Sequence, residues 1–296
     1  MDLYKILNMI DKNYFSPNNK NRLGKTNLYS LLQLEGILVS MLRMYSEHKI
    51  DQLRDLPISE IYKSYIKFKD NNQNNYETYK IEEIYDTKKR HIAELLSIMY
   101  NPGFEIVNKM MEEIKSALRE MNYKFIEVRI KTSSKTLVGV STNFGYTIFE
   151  NGISFDPYLN VPYIPASEIK GLLRSMTDDE KLADKLFGSE ESEGILMITD
   201  SYPIQAEGSI FLPDIITPHY VNAEDESRVQ PKPSIRFVIA PKVTFDFFIY
   251  YKNLDTYLRK VLEQLIIKMI KEGIGSKTSL GYSLFTVVYI DWTYGE

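Results

Sequence analysis

Val243-Thr244-Phe245-Asp246-Phe247-Phe248-Ile249-Tyr250 sets Val243, Phe245, Phe247 and Ile249 against Thr244, Asp246, Phe248 and Tyr250 in strict alternation. A period of two marks a half-buried strand, because successive side chains leave opposite faces. Directly after it, Leu254, Leu258, Val261, Leu262, Leu265 and Met269 recur at helical spacing and predict an amphipathic helix. That helix runs into a glycine loop, Gly273-Ile274-Gly275-Ser276-Lys277-Thr278-Ser279-Leu280-Gly281-Tyr282. A final strand is predicted from about 284 to 290.

Working back toward the N-terminus, the same logic finds the partners of this unit. Ile126, Val128 and Ile130 alternate with Glu127, Arg129 and Lys131 and predict a first strand beginning near Lys124. After Pro165, Ser167 stands where a helix N-cap belongs, and Ile169, Leu172, Leu173 and Met176 give the following helix its apolar face. Ile195-Leu196-Met197-Ile198 reads as a short strand. The order is β-α-β-β-α-β, an α+β fold of the ferredoxin-like, split βαβ kind, whose sheet also serves RNA-recognition (RRM-like) domains. Residues 1–122 read as an N-terminal helical region, with helical segments at about 27–45, 78–99 and 104–121. A polar loop at 69–75 and the breaker Asn101-Pro102-Gly103 separate them. The domain expected to hold the chemistry is 123–296, interrupted by an acidic insertion at about 178–230.

The net charge of −4 over 296 residues argues at first against a polyanion partner. Its distribution reverses that. Between Asp178 and Arg228 stand thirteen acidic and three basic residues, a local −10, which leaves the remainder at +6. A local RNA groove is compatible with this; a chain basic over a whole face is excluded. An ordinary acidic surface loop explains the segment equally. Cysteine is absent, so disulfides and thiolate metal sites are excluded. No apolar run approaches the roughly 18 residues of a membrane helix. Met1-Asp2-Leu3-Tyr4-Lys5 does not read as a signal peptide. These features point to a globular, cytoplasmic protein with no membrane partner.

Strand direction then brings two segments together. If the first strand runs up, the first helix begins at the top and the second helix ends there. Residues 167–174 and 273–282 should therefore share one sheet edge. The residues expected to contact RNA there are Ser167, Lys170 and Arg174 on the helix, and Gly273, Gly275, Ser276, Lys277, Thr278 and Tyr282 in the loop. A helix N-terminus offers unpaired N–H groups and partial positive charge. Consecutive glycines allow an anion-binding nest, the cations add full charge, and Tyr163 and Tyr282 are candidates for base stacking. Gly273 reads equally as a plain helix C-cap. The loop is no Walker A motif: it lacks the GxxxxGK[ST] order and follows a helix.

Catalysis finds little support. His48 and His91 fall in helical segments and read as surface residues. His219, with Asp214 and Tyr220 nearby, is either a general acid or base or a structural histidine bonding a loop carbonyl. Asp156, Asp200 and Asp214 are oxygen donors of the kind Mg²⁺ takes, but scattered aspartates are usually solvated. No catalytic residue, metal or cofactor is expected. Arg236 is placed either on RNA or at a strand edge, and Asn143 with 139–145 either on RNA backbone or in a simple loop. Phe245, Phe247 and Tyr289 read as core.

Val161-Pro162-Tyr163-Ile164-Pro165-Ala166-Ser167-Glu168-Ile169-Lys170-Gly171-Leu172-Leu173-Arg174 resembles the "YIPGSSIKGALR" segment of the RAMP superfamily of CRISPR proteins. Leu186-Phe187-Gly188-Ser189 resembles the "LFG" that follows it, and the glycine loop stands where that family carries its own. Asp200-Ser201-Tyr202-Pro203, Asp214-Ile215-Ile216-Thr217-Pro218-His219-Tyr220 and Pro233-Ser234-Ile235-Arg236-Phe237 narrow the resemblance to the sixth-subunit family of type III-B Cmr effector complexes. The match spans about 131–282. It departs from the pattern at Ala166 and Ser283, where glycine is usual. The resemblance implies a non-catalytic subunit that binds the 3′ part of a CRISPR guide RNA, near target RNA, among backbone, small helical and end-capping Cmr subunits. A RAMP-type endoribonuclease that processes or cleaves RNA is the rival reading.

Overall fold

The computed structural model describes residues 102–140, 144, 149, 152–216 and 234–292. The chain divides into two compact units. The larger comprises Asn101–Ser141, Ile153–Ile210 and Val238–Glu296, and the other Met1–Tyr100, Thr142–Gly152 and Phe211–Phe237.

The larger unit opens with helix α1 (Glu105–Glu120) and strand β1 (Lys124–Thr132). A hairpin of β2 (Phe155–Asp156) and β3 (Val161–Pro162) precedes helices α2 (Ala166–Ser175) and α3 (Glu180–Phe187). Then come β4 (Met197–Ile198) and β5 (Tyr202–Ala206). In the other unit, strand β6 (Phe211–Ile216) pairs with β7 (Ser234–Ile239), which begins there, in a separate two-stranded sheet. Strand β8 (Val243–Tyr251), helix α4 (Thr256–Glu272) and β9 (Phe285–Asp291) complete the larger unit.

The main sheet runs β4-β8-β1-β9, with β5 also on β8, and every pair is antiparallel. β8 lies in the middle and is covered on both faces: its nine residues are buried except Tyr250. Ile126, Val128 and Ile130 of β1 lie opposite Ile249, Phe247 and Phe245, all fully buried. This face carries the helices, since α2 packs on β4 and α4, and α4 on β9. Leu258, Leu262, Leu265, Ile266, Met269 and Ile270 line the buried side of α4, as its spacing predicts. Asp255 starts that helix by accepting the Leu258 N–H at 2.8 Å.

The opposite face corrects the half-buried reading. Phe125 and Phe248 are fully buried beneath Val107, Met111 and Leu118 of α1. At about 1.5–3 kcal/mol per fully buried large apolar side chain, this layer is a substantial part of the core. α1, expected in an N-terminal helical region, therefore belongs with the sheet. The acidic insertion is no single insertion either. Its span holds α3, two strands of the main sheet and β6.

The second strand is split for a reason that bears on the site. Thr199–Ser201 break away between β4 and β5. The Thr199 hydroxyl accepts the Phe248 N–H at 3.0 Å, and Ser201 bridges to Ile164. Asp200 is left to turn toward α2. In the other unit, Phe144, Phe149, Phe211 and Phe237 pack ring against ring at centroid distances of 4.9–6.0 Å.

Candidate nucleic-acid interface

The glycine loop closes α4 and folds back on the chain after β1. Gly273 has φ +93, and its N–H donates to the Met269 carbonyl, so it is the helix C-cap. It is also a close approach, since a Cβ there would sit 2.6 Å from the Ser283 carbonyl oxygen. Gly275 has φ +124, and a Cβ on it would run into the Leu137 carbonyl oxygen. Lys277 is left-handed at φ 62 and leads a short 3₁₀ turn, Thr278–Leu280.

Backbone amides tie this loop down rather than line a nest. Ile274 N–H donates to Ser283 O, Ser276 N–H to Leu137 O, Tyr282 N–H to Lys277 O and Ser283 N–H to Lys135 O. The amides of Gly273, Ile274 and Ser276 are thus committed to the fold. Those three amides are not open to an anion.

Ser283, the departure from glycine, turns out to be a clasp. It is fully buried at φ +57. Its hydroxyl accepts the Leu137 N–H at 3.0 Å and donates to the Ser276 carbonyl at 3.0 Å. Ser283→Ala is expected to cost about 1–3 kcal/mol, because the Leu137 N–H would be left buried without a partner. Thermal unfolding of the purified variant checks this.

The segment that the clasp holds leads to α2. Gly139 N–H donates to Glu168 Oε2 at 2.7 Å, and the Ser154 hydroxyl donates to Gly139 O at 3.2 Å. Gly139 has φ +56, and a Cβ there would meet Ser154 and Pro165. Residues 137–139 therefore bridge the glycine loop to the first turn of α2. The two predicted segments do share one edge of the sheet.

The start of α2 differs from the expectation. Pro165, extended at φ −60 and ψ 137, is the N-cap, so Ser167 lies inside the first turn with its side chain exposed. Asp200 Oδ1 accepts the Ala166 N–H at 2.7 Å. A carboxylate thus already occupies the place proposed for phosphate, because proline carries no side-chain acceptor and a distant aspartate supplies one. Burial pushes the Glu168 carboxyl up, and the Gly139 N–H partly offsets this.

Lys170 lies one turn into α2 and is half-buried. Arg174 sits at the far end of the helix, about 12 Å along its axis from Ala166. It donates to Gly188 O at 2.7 Å and pairs with Asp184 of α3. Its job is to hold α3, and it does not join the loop. Tyr282 is half-buried and within the loop. Tyr163 stacks on Tyr202 at 5.6 Å and 24° instead of standing open, and the Tyr202 hydroxyl donates to Asp156 Oδ2. Arg236 is 7% exposed in β7 and bonds Asp214 Oδ2 at 3.1 Å, an internal pair in the smaller unit. Asp214 is the carboxylate weighed beside His219; His219 itself lies outside the described residues, as does Asn143. Glu168 went unassigned in the sequence, Asp200 was weighed only as an oxygen donor for a metal, and Gly139 only as part of the 139–145 stretch. Asp200 stands in a quoted motif, but its role depends on a contact 34 residues distant in the chain.

No helix among the described residues is long and apolar enough to cross a membrane. Residues 129–286 match the RAMP superfamily. The CRISPR system CMR subunit Cmr6 of Saccharolobus solfataricus is 40% identical over 276 residues, covering 92% of this chain and 93% of that protein. A chain in the cryo-EM structure of the type III-B Cmr-beta complex bound to cognate target RNA superposes with a TM-score of 0.75. It has 34% identity and covers 98% of this chain and 97% of that one. The chain belongs to the RAMP superfamily, in the family of the Cmr6 subunits.

Proposed function

We propose that this chain is a non-catalytic RNA-binding subunit of a type III-B CRISPR effector complex, holding the 3′ region of a guide RNA at the edge formed by the glycine loop and α2. The observation that carries the reading is the junction at residues 137–139, which brings the Lys277 loop and the Lys170 helix to one sheet edge. Ser167, Gly275, Ser276, Thr278 and Tyr282 complete the surface, and Gly273 shapes it. Arg174 and Arg236 are left out because protein partners engage them, Gly188 and Asp184 for the first and Asp214 for the second.

The antiparallel order β4-β8-β1-β9, with a helix after β1 and another after β8, supports the ferredoxin-like βαββαβ reading. The relatives support other Cmr subunits and target RNA as partners; guide RNA and a cytoplasmic setting belong to the proposal. Backbone contacts at this edge carry no sequence information, which suits a subunit that must accept any guide. Purifying the assembled complex through a tag on this chain tests the reading. Short guide RNA and partner subunits are expected to copurify. RNA-free chain, or cleavage of repeat RNA by the chain alone, would refute it.

A further inference from the structure

The end of the main sheet that carries the glycine loop also gathers three other segments. β1 and β5 end there, and β8 and β9 begin there, since Thr132 lies opposite Phe285, Lys131 opposite Thr244 and Ala206 opposite Val243. Hydrogen bonds join the segments one to the next. Tyr282 N–H donates to Lys277 O at 3.2 Å, Ser283 N–H to Lys135 O at 2.9 Å, Lys242 N–H to Thr132 O at 2.7 Å and Glu207 N–H to Lys242 O at 3.3 Å. The segments 131–137, 203–210, 238–244 and 273–286 hold four lysines, Lys131, Lys135, Lys242 and Lys277, against one carboxylate, Glu207. In a chain of net charge −4, this end of the sheet is a local reversal of sign.

Two of these lysines converge. Lys131 bonds Glu207 Oε1, and Lys242 reaches Glu207 Oε2 at 3.1 Å. Each ammonium takes one oxygen of a single carboxylate, whose side chain is 43% exposed. The bonds from Lys131 and then Lys242 pull the Glu207 carboxyl below its usual range. Exposed ion pairs contribute little to stability, so the fold alone does not account for the cluster. Lys242 is also held left-handed at φ 68, after Pro241, where glycine or asparagine is the usual occupant. Lys277 has the same conformation at φ 62. A long cation kept at a strained backbone position points to a use for its charge.

We propose that Lys131 and Lys242 form a second phosphate seat for single-stranded RNA, continuing the path that begins at Lys277, with Glu207 holding the two ammonium groups in place until a phosphate displaces it. The proposal rests on the RNA-binding reading and carries the path over the end of the sheet, onto the face opposite α2. A phosphodiester offers what the carboxylate offers, two anionic oxygens on one centre, and each takes one lysine. The distance suits a single strand. From Tyr282 to Thr286, whose hydroxyl donates to the Lys131 carbonyl at 3.4 Å, the chain spans at most about 14 Å, within a groove several nucleotides long. Contacts of this kind fix the backbone and read no bases.

Titrating the full-length chain into a fluorescein-labelled oligouridine over a salt series tests this. Lys131→Gln with Lys242→Gln keeps most of both apolar stems and is expected to fold as the wild type does. Losing one neutralised phosphate lowers the slope of log Kd against log salt by about 0.7, which is about fivefold weaker binding at 0.1 M salt extrapolated from a 1 M reference. Arginine at both positions should restore the slope. Glu207→Gln removes the competing anion and should bind up to about fivefold more tightly, the equivalent of one exposed ion pair. Unchanged or weaker binding by Glu207→Gln overturns the placeholder role. A double glutamine variant with wild-type affinity and slope, while Lys170→Ala with Lys277→Ala weakens binding, overturns the seat and leaves the function standing. The same result with lost association to partner subunits assigns the lysines to an acidic protein neighbour and also overturns the seat. A wild type that binds no RNA overturns the function and this inference together.

Discussion

Replacing Arg129 with methionine is expected to cost about 3 kcal/mol of stability. On the α1 side of the sheet, Arg129 donates to Glu127 at 2.6 Å and to Asp246 at 3.1 Å. Lys115 of α1 also pairs with Glu127, and Tyr289 stacks on the guanidinium at 5.1 Å. Glu127 and Asp246 are 1% exposed; removing their shared cation leaves Asp246 buried without its ion-pair partner, while Lys115 still pairs with Glu127. Breaking such a cluster costs about 3–5 kcal/mol, and the lower end applies because 31% of the Arg129 side chain reaches solvent. Urea unfolding of the variant near neutral pH measures it.

The same cluster sets a pH dependence. Burial pushes the Asp246 carboxyl up to about 7, against the pull of Arg129 and with further repulsion from Glu127. One arginine shared between two carboxylates does not neutralise both. A carboxyl whose folded pKa exceeds its ordinary 3.8 binds its proton more tightly in the fold. Its contribution is present in full below about pH 4 and is lost as pH rises through about 7. Asp246→Asn should therefore flatten the rise in stability that the wild type shows as pH falls from roughly 8 to 5. Unfolding midpoints compared across that range isolate the group. A variant that retains the wild-type slope would show that Asp246 is charged throughout.

The double variant Lys170→Ala with Lys277→Ala is expected to lose much of its affinity for single-stranded RNA. Each phosphate neutralised on a single strand contributes about 0.7 to the salt slope, so two lysines remove about 1.4. Extrapolated from a 1 M reference, that is about 25-fold weaker binding at 0.1 M salt. The prediction is specific in its slope, since loss of a stacking aromatic weakens binding at every salt concentration alike. Fluorescence anisotropy over a salt series separates the two.

The elements legible in the sequence are those whose burial follows one period. Ile126, Val128 and Ile130 announce β1, and Leu258 through Met269 announce α4. β8 was recognised as a strand, but Phe248 and Asp246 were read as its wet face. They are buried because α1 covers them, and no local pattern says where an amphipathic helix docks. β4 is too short for periodicity to show that the strand continues as β5.

At the site, the pairing of the two motifs followed from topology, and the loop geometry did not. A glycine-rich string suggests open amides, yet closing the loop against 137–139 consumes several of them. Ser283 read as an imperfection because its value lies in a bond to Leu137, 146 residues away in the chain. Arg174 had the right charge at the right helix, but charge does not reveal that Asp184 lies within reach.

The most direct test of the central claim is ultraviolet crosslinking of the assembled complex, with mass spectrometry of the RNA-linked peptides. Nucleotides attached within 273–283, at Tyr282 or Lys277, are the result expected. Guide RNA linked to neighbouring subunits, with none on this loop or on the first turn of α2, would contradict it.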